Sequence, residues 1–199
     1  MFKNIKEIEA IFRALSEQLN AEGVRMLEIL VCGGAALNIL GYVKRTTKDV
    51  DVVAFVDRNK DGLVVLTKAS PLGPSLIAAA GRVRKDFNLP EHWLNAGPAD
   101  IMDFGLPDGL MDRVESRTYG ENFIVHFLGR YDQIHFKLYA AVDQSGGKHY
   151  DDLMALEPTD GELEKAARWS MLHDPSQGYG IVLRDFLENT GHKNVAKKL

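Results

Sequence analysis

Two aspartates, Asp49 and Asp51, stand at the head of the β-branched run Asp49-Val50-Asp51-Val52-Val53-Ala54-Phe55-Val56. That run predicts a strand, and a spacing of two on a strand projects both carboxylates to one face. Paired carboxylates on a rigid strand suit a divalent cation, Mg²⁺ or Mn²⁺, held jointly with substrate phosphates. Upstream, the apolar run Met26 to Val31 stops at Cys32-Gly33-Gly34 and is followed by a short helix, Ala35 to Leu40. Gly33 and Gly34 allow a sharp turn and a close backbone approach to a polyphosphate at a helix start. Arg45 and Lys48 flank the acidic pair, where cations would offset charge on a transferring phosphoryl group. A glycine pair alone is usually only a turn, and Asp-x-Asp alone is often a solvent-facing pair. It is their order within Val31 to Phe55 that points to nucleotide chemistry.

The elements that must position these residues are legible in part. Ile5, Ile8, Phe12, Leu15 and Leu19 recur at spacings of three and four, predicting a helix over 5–19 with Asn4 as its N-cap. Leu63 to Leu66 is a short strand or a helix start, and Pro74 to Phe87 is helical. Pro90 means that any strand in Leu89 to Leu94 begins late or lies at an edge. Glycines and prolines break every period between Asn95 and Asp112. Arg113–Tyr119 and Asn122–Leu128, joined by Gly120-Glu121, predict a hairpin. Helices follow at Tyr131 to Val142, His149 to Leu156, Thr159 to Leu172 and Gly180 to Asn189. The third of these opens on a capping box, Thr159 to Glu162. Gln144–Lys148 reads as a Ser/Gly loop, and Ser176–Gly180 as a flexible glycine loop that could serve as a lid. The expected class is α+β: a small mixed β-sheet flanked by helices, with C-terminal helices. The expected division is a core over 1–130 and a helical part over 131–199, which also reads as one single domain.

Composition narrows the classes. The chain has 199 residues, 24 Lys plus Arg against 28 Asp plus Glu, and a formal charge of −4, which disfavours a protein that coats nucleic acid. One cysteine, Cys32, excludes an internal disulfide and a multi-cysteine zinc site. The start, MFKNIKEIEA, lacks an apolar h-region, and no apolar run approaches the ~18 residues of a membrane span. A cytoplasmic protein without a membrane partner is expected.

Together the motifs resemble the polymerase-β-like nucleotidyltransferase superfamily, whose signature is a Gly-Gly or Gly-Ser helix start followed by Asp-x-Asp on a strand. Gly33-Gly34-Ala35-Ala36-Leu37 and Arg45-Thr46-Thr47-Lys48-Asp49-Val50-Asp51 are similar to its AbiEii-toxin-like branch and bacterial relatives. A looser similarity covers Phe136-Lys137-Leu138-Tyr139-Ala140 and Lys148-His149-Tyr150-Asp151-Asp152-Leu153. The resemblance implies a nucleotidyltransferase fold and transfer of an NMP group from an NTP to a hydroxyl of RNA or protein. It further implies Asp49 and Asp51 as catalytic metal ligands, and Gly33, Gly34, Arg45 and Lys137 as nucleotide-binding, with Asp152 helping to position the lysine's contact. A toxin-like protein would be neutralised by an antitoxin partner. Members often carry a third carboxylate on a neighbouring strand, expected here near His92-Trp93-Leu94-Asn95. No acid stands there, and Asn95 cannot act as a base.

Three other readings compete. A fold member with little or no catalysis would bind a nucleotide or a partner chain. A nucleotide-sugar glycosyltransferase also uses Asp-x-Asp, but leaves the Gly-Gly helix start unexplained. The third is an α+β domain bearing a chance motif. The six histidines lack paired metal spacing and read as surface or satisfied groups. Cys32 reads as a small buried hydrophobe, Trp93 and Trp169 as core or groove walls, and the lysine-rich tail from His192 as a frayed end.

Overall fold

Helix α1 (Ile5–Ala21) starts where Asn4 accepts the Glu7 N–H at 3.1 Å, satisfying one of the unpaired donors of the first turn. Its buried stripe, Ile8, Ile11, Phe12, Leu15 and Leu19, gains Ile11 over the predicted one and loses Ile5, which is exposed. Phe12 lies among Tyr119, Phe123 and Phe127, with ring centroids 5.1–6.1 Å away. Each such side chain, fully buried, stabilises by about 1.5–3 kcal/mol.

The computed structural model describes residues 2, 4–144 and 147–199. It divides into two units, one of Met1–Asp103 with Val114–Leu128 and one of Phe104–Arg113 with Gly129–Leu199.

The first unit is mixed α+β, a small mixed open sheet flanked by helices. Its strands are β1 (Leu27–Cys32), β2 (Val50–Arg58), β3 (Val64–Lys68), β4 (Leu94–Asn95), β5 (Glu115–Tyr119) and β6 (Phe123–Phe127). They lie in the order β3-β2-β1-β6-β5, with β4 beside β2. β1 runs parallel to β6 and β4 parallel to β2; the other pairs are antiparallel. Leu63 to Leu66 thus resolves as a strand, and Pro90 leaves β4 only two residues long. The β5–β6 turn also takes in Asn122, which accepts from the Ser16 hydroxyl at 2.8 Å and donates to Val24 O at 3.0 Å.

Between β1 and β2 the register shifts after Leu30, so that Val31 faces Val52 and Cys32 faces Asp51. The extra residue on β2 is Val53, and a bulge of this kind re-aims the side chains beyond it. Helix α2 (Gly33–Ile39) leaves β1 directly and is buried along its whole length. Helix α3 (Pro74–Phe87) starts with proline at its first position and ends at Asn88 in the left-handed region, φ 50°.

The second unit is helical: α4 (Arg130–Asp143), α5 (Lys148–Ala155), α6 (Asp160–His173), α7 (Gln177–Asn189) and α8 (Lys193–Ala196). Of the Ser/Gly loop expected over 144–148, Ser145 and Gly146 lie outside the described residues, and Lys148 begins α5. The capping box at Thr159 and Glu162 is present, and hydrogen bonds from Arg130 hold the Glu162 carboxyl down at about 2. Phe136 stacks on Trp169 at 5.7 Å, with His135 and His173 against the same indole.

Two expectations fail here. The glycine loop over Ser176–Gly180 is the start of α7: Ser176 caps it by accepting the Tyr179 N–H at 3.1 Å, so its glycines are helical and not a lid. The tail from His192 is tied down, with Val195 and Ala196 buried and Arg184 donating to Leu199 O at 2.8 Å. No helix among the described residues is long and apolar enough to cross a membrane.

Candidate functional site

The bulge and the Cys32–Asp51 pairing bring the acidic segment to the glycine turn. Gly33 has φ +71°, a conformation glycine adopts without strain, and the space a Cβ would fill there is occupied by Oδ2 of Asp51. A Cβ on Gly34 would lie 2.7 Å from the Thr47 hydroxyl and 3.1 Å from Nη2 of Arg45. The two glycines therefore admit this chain's own carboxylate, hydroxyl and guanidinium to the backbone.

Asp49 lies one residue before β2, outside the strand predicted to carry it. Its link to the turn is Thr47, whose buried hydroxyl is 3.4 Å from both Asp49 Oδ1 and Asp49 O, the outer limit of hydrogen bonding. Thr47 is itself pinned by Phe2: Phe2 N–H donates to Thr47 O at 2.8 Å, and Thr47 N–H to Phe2 O at 3.1 Å. Phe2 is buried edge-on against Trp93. Only register could have exposed this clamp, because nothing in the spacing of Phe2 and Thr47 signals a pairing.

On the other side of Asp51 stands Asn95. The parallel β2–β4 register sets the two residues opposite each other, and Asn95 Nδ2 donates to Asp51 Oδ1 at 3.1 Å. Asn95 Oδ1 accepts the Gly97 N–H at 2.9 Å, which fixes the amide's orientation. Asp100 and Asp103, the next acids along, both pair with Lys68 at 2.7 Å, and these pairs raise the lysine's pKa.

Asp49 and Asp51 are half-buried, as is Arg45, while Lys48 is exposed. Two carboxylates with a hydroxyl nearby form a hard-oxygen donor set, which fits Mg²⁺ or Mn²⁺ when substrate oxygens complete the shell. Among the described residues no group of three or more His, Cys, Asp or Glu could hold a metal unaided.

Lys137 and Asp152 belong to the helical unit. Lys137 is 4% exposed, and its ammonium donates to Asp152 Oδ2 at 2.7 Å. The looser motif thus gives a buried ion pair between α4 and α5. Trp93 and Trp169 are buried and donate to Ala80 O and Gly105 O, as core residues do. Cys32 is buried.

No family model, curated protein or solved structure matches this chain.

Proposed function

We propose that the sheet unit is a nucleotidyltransferase fold that binds an NTP with Mg²⁺ or Mn²⁺ at Asp49 and Asp51 and transfers its NMP group to an acceptor hydroxyl. The observation that carries this reading is the seating of the Asp51 carboxylate against the α-carbon of Gly33, with Thr47 linking Gly34 to Asp49. Carboxylates, glycine turn and Arg45 then form one cluster. A chance Asp-x-Asp has no reason to lie there.

The chain's residues divide the work by charge and shape. Asp49 and Asp51 supply anionic oxygens to the cation. Arg45, beside Gly34, offsets negative charge on the phosphates. Thr47 and Asn95 orient the two carboxylates. Bound there, the divalent ion would polarise the phosphoryl oxygens and screen the developing charge. The reading uses residues of the sheet unit alone, and leaves the acceptor, RNA or protein, and an antitoxin as further proposals.

Asn95 favours a second reading, nucleotide binding with little or no transfer. It donates to Asp51 where a third carboxylate would stand, and an amide cannot take a proton from the acceptor. Calorimetry of NTP with Mn²⁺ tests the shared part: the double variant Asp49→Asn, Asp51→Asn should lose metal-dependent binding. Binding that survives in the variant overturns the site. Incubation with labelled NTPs and candidate RNAs or proteins then separates the two readings, since transferred label excludes a pure binder.

A further inference from the structure

Away from that cluster, three adjacent strands assemble a hydroxyl, an imidazole and a carboxylate. Ser116 on β5 is paired with His126 on β6, and its Oγ lies 2.7 Å from His126 Nδ1. His126 Nε2 lies 2.9 Å from Oε2 of Glu28 on β1, the strand parallel to β6. The His126 side chain is 7% exposed and that of Glu28 17%, while Ser116 is exposed. A carboxylate only accepts, so Nε2 carries the proton of the neutral imidazole and Nδ1 keeps its lone pair. In that form of the ring the Ser116 O–H donates to Nδ1. Burial of His126 accounts for its need of partners; it does not account for an exposed hydroxyl placed on the basic nitrogen.

We propose that Ser116 is an activated nucleophile, with His126 as its general base and Glu28 as the residue that fixes the imidazole's tautomer, and that it reacts with uncharged carboxylic esters. The order of ring nitrogens is the reverse of the usual serine–histidine–acid arrangement, but the roles are the same. The net charge of the three groups is negative, which favours a neutral acyl carbon over a phosphate anion. β5 is the last strand of the sheet, and an edge strand turns alternate backbone N–H groups away from its ladder, the donors this proposal assigns to the oxyanion. In the reaction Ser116 Oγ bonds to the ester carbonyl carbon and its proton passes to His126 Nδ1. The ester C–O bond then breaks, and the leaving alkoxide takes that proton. Water attacks the acyl-serine, its proton crosses the same nitrogen to Ser116 Oγ, and the carboxylic acid departs. None of these residues belongs to the nucleotide site, so the proposal stands or falls separately.

The test uses the full chain, a biotin-tagged fluorophosphonate and p-nitrophenyl acetate. Mass spectrometry should find one phosphonyl adduct on the Ser116 peptide, absent in Ser116→Ala, and the acetate ester should release p-nitrophenol in a burst lost in the same variant. His126→Gln should slow labelling at least about a hundredfold, the usual size of a general-base contribution. Glu28→Gln should slow it about tenfold or more, with Glu28→Asp recovering part of the rate while circular dichroism stays unchanged. No adduct on the wild-type chain, an adduct elsewhere, or equal labelling rates in wild type and His126→Gln each overturn the assignment. If His126→Gln does not fold, Glu28→Gln against Glu28→Asp decides, and equal rates in wild type and both variants overturn it.

Discussion

Asn95 holds the Asp51 carboxylate from the neighbouring strand through a 3.1 Å hydrogen bond, at a register position that sets the two side chains opposite each other. An amide there neutralises nothing, yet orients one oxygen of the carboxylate; under the proposed function a cation would have two acidic partners, Asp49 and Asp51. In Asn95→Asp that hydrogen bond gives way to a repulsion between like charges. Without divalent cation the variant should be less stable by about 1–3 kcal/mol, the cost of a lost partner at a half-buried acceptor. With Mn²⁺ the order should reverse, and affinity measured by electron paramagnetic resonance should tighten about tenfold as ligand charge rises. Unchanged Mn²⁺ affinity would place the cation elsewhere.

Gly33 and Gly41 both have positive φ, +71° and +79°, but only Gly33 has Asp51 against its α-carbon. Gly41→Ala meets open space and should cost about 1–2 kcal/mol, the backbone price alone. Gly33→Ala should cost more than Gly41→Ala in urea titration and should also weaken Mn²⁺ binding. Equal losses in the two variants would show that the closeness of Asp51 to the turn has no energetic weight.

The Lys137–Asp152 pair is 5% and 2% exposed at its two side chains. Lys137→Met removes the cation from a buried carboxylate and should destabilise by about 3–5 kcal/mol. Adding Asp152→Leu should restore much of that loss, because the desolvated charge is then gone. If the double variant is no better than the single, the interaction energy of the pair is not what holds α4 to α5.

Burial holds the pKa of both His135 and His173 below the ordinary 6.5, against smaller opposing effects of their backbone partners Tyr131 and Gly105. A depressed folded-state value favours the neutral imidazole. The contribution to stability is therefore complete above pH 6.5 and declines as pH falls through 6.5 towards the folded values. The melting temperature should drop on acidification below about pH 6.5, and the double variant His135→Gln, His173→Gln should flatten that slope. A melting temperature independent of pH in that range would contradict the direction of both shifts.

Local signals carried most of the elements. Asn4, Pro74 and Thr159 announce helix starts through side-chain or φ requirements that act over three or four residues. The glycine turn and β2 were likewise legible, since both lie in one short stretch, although Asp49 falls just before the strand. Long-range register was not. The Val53 bulge that aligns Asp51 with Cys32, the Asn95–Asp51 pairing and the Phe2–Thr47 clamp depend on strands meeting in space. Glu28 and His126 are 98 residues apart, and only the parallel β1–β6 pairing reveals their contact. Ser176 misled through the glycines after it, which outweighed a three-residue capping signal. The stretch 97–104 is a 3-10 helix, whose tight turns leave no 3.6-residue period to detect.

The two tryptophans fall one to a unit, Trp93 edge-on against Phe2 in the sheet unit and Trp169 in the aromatic stack of the helices. Each unit consequently carries a single tryptophan, which excitation at the red edge selects over the tyrosines. Trp169→Phe makes emission a private reporter of the sheet, and Trp93→Phe a private reporter of the helices. Whether they melt together or in sequence can be followed without any dye.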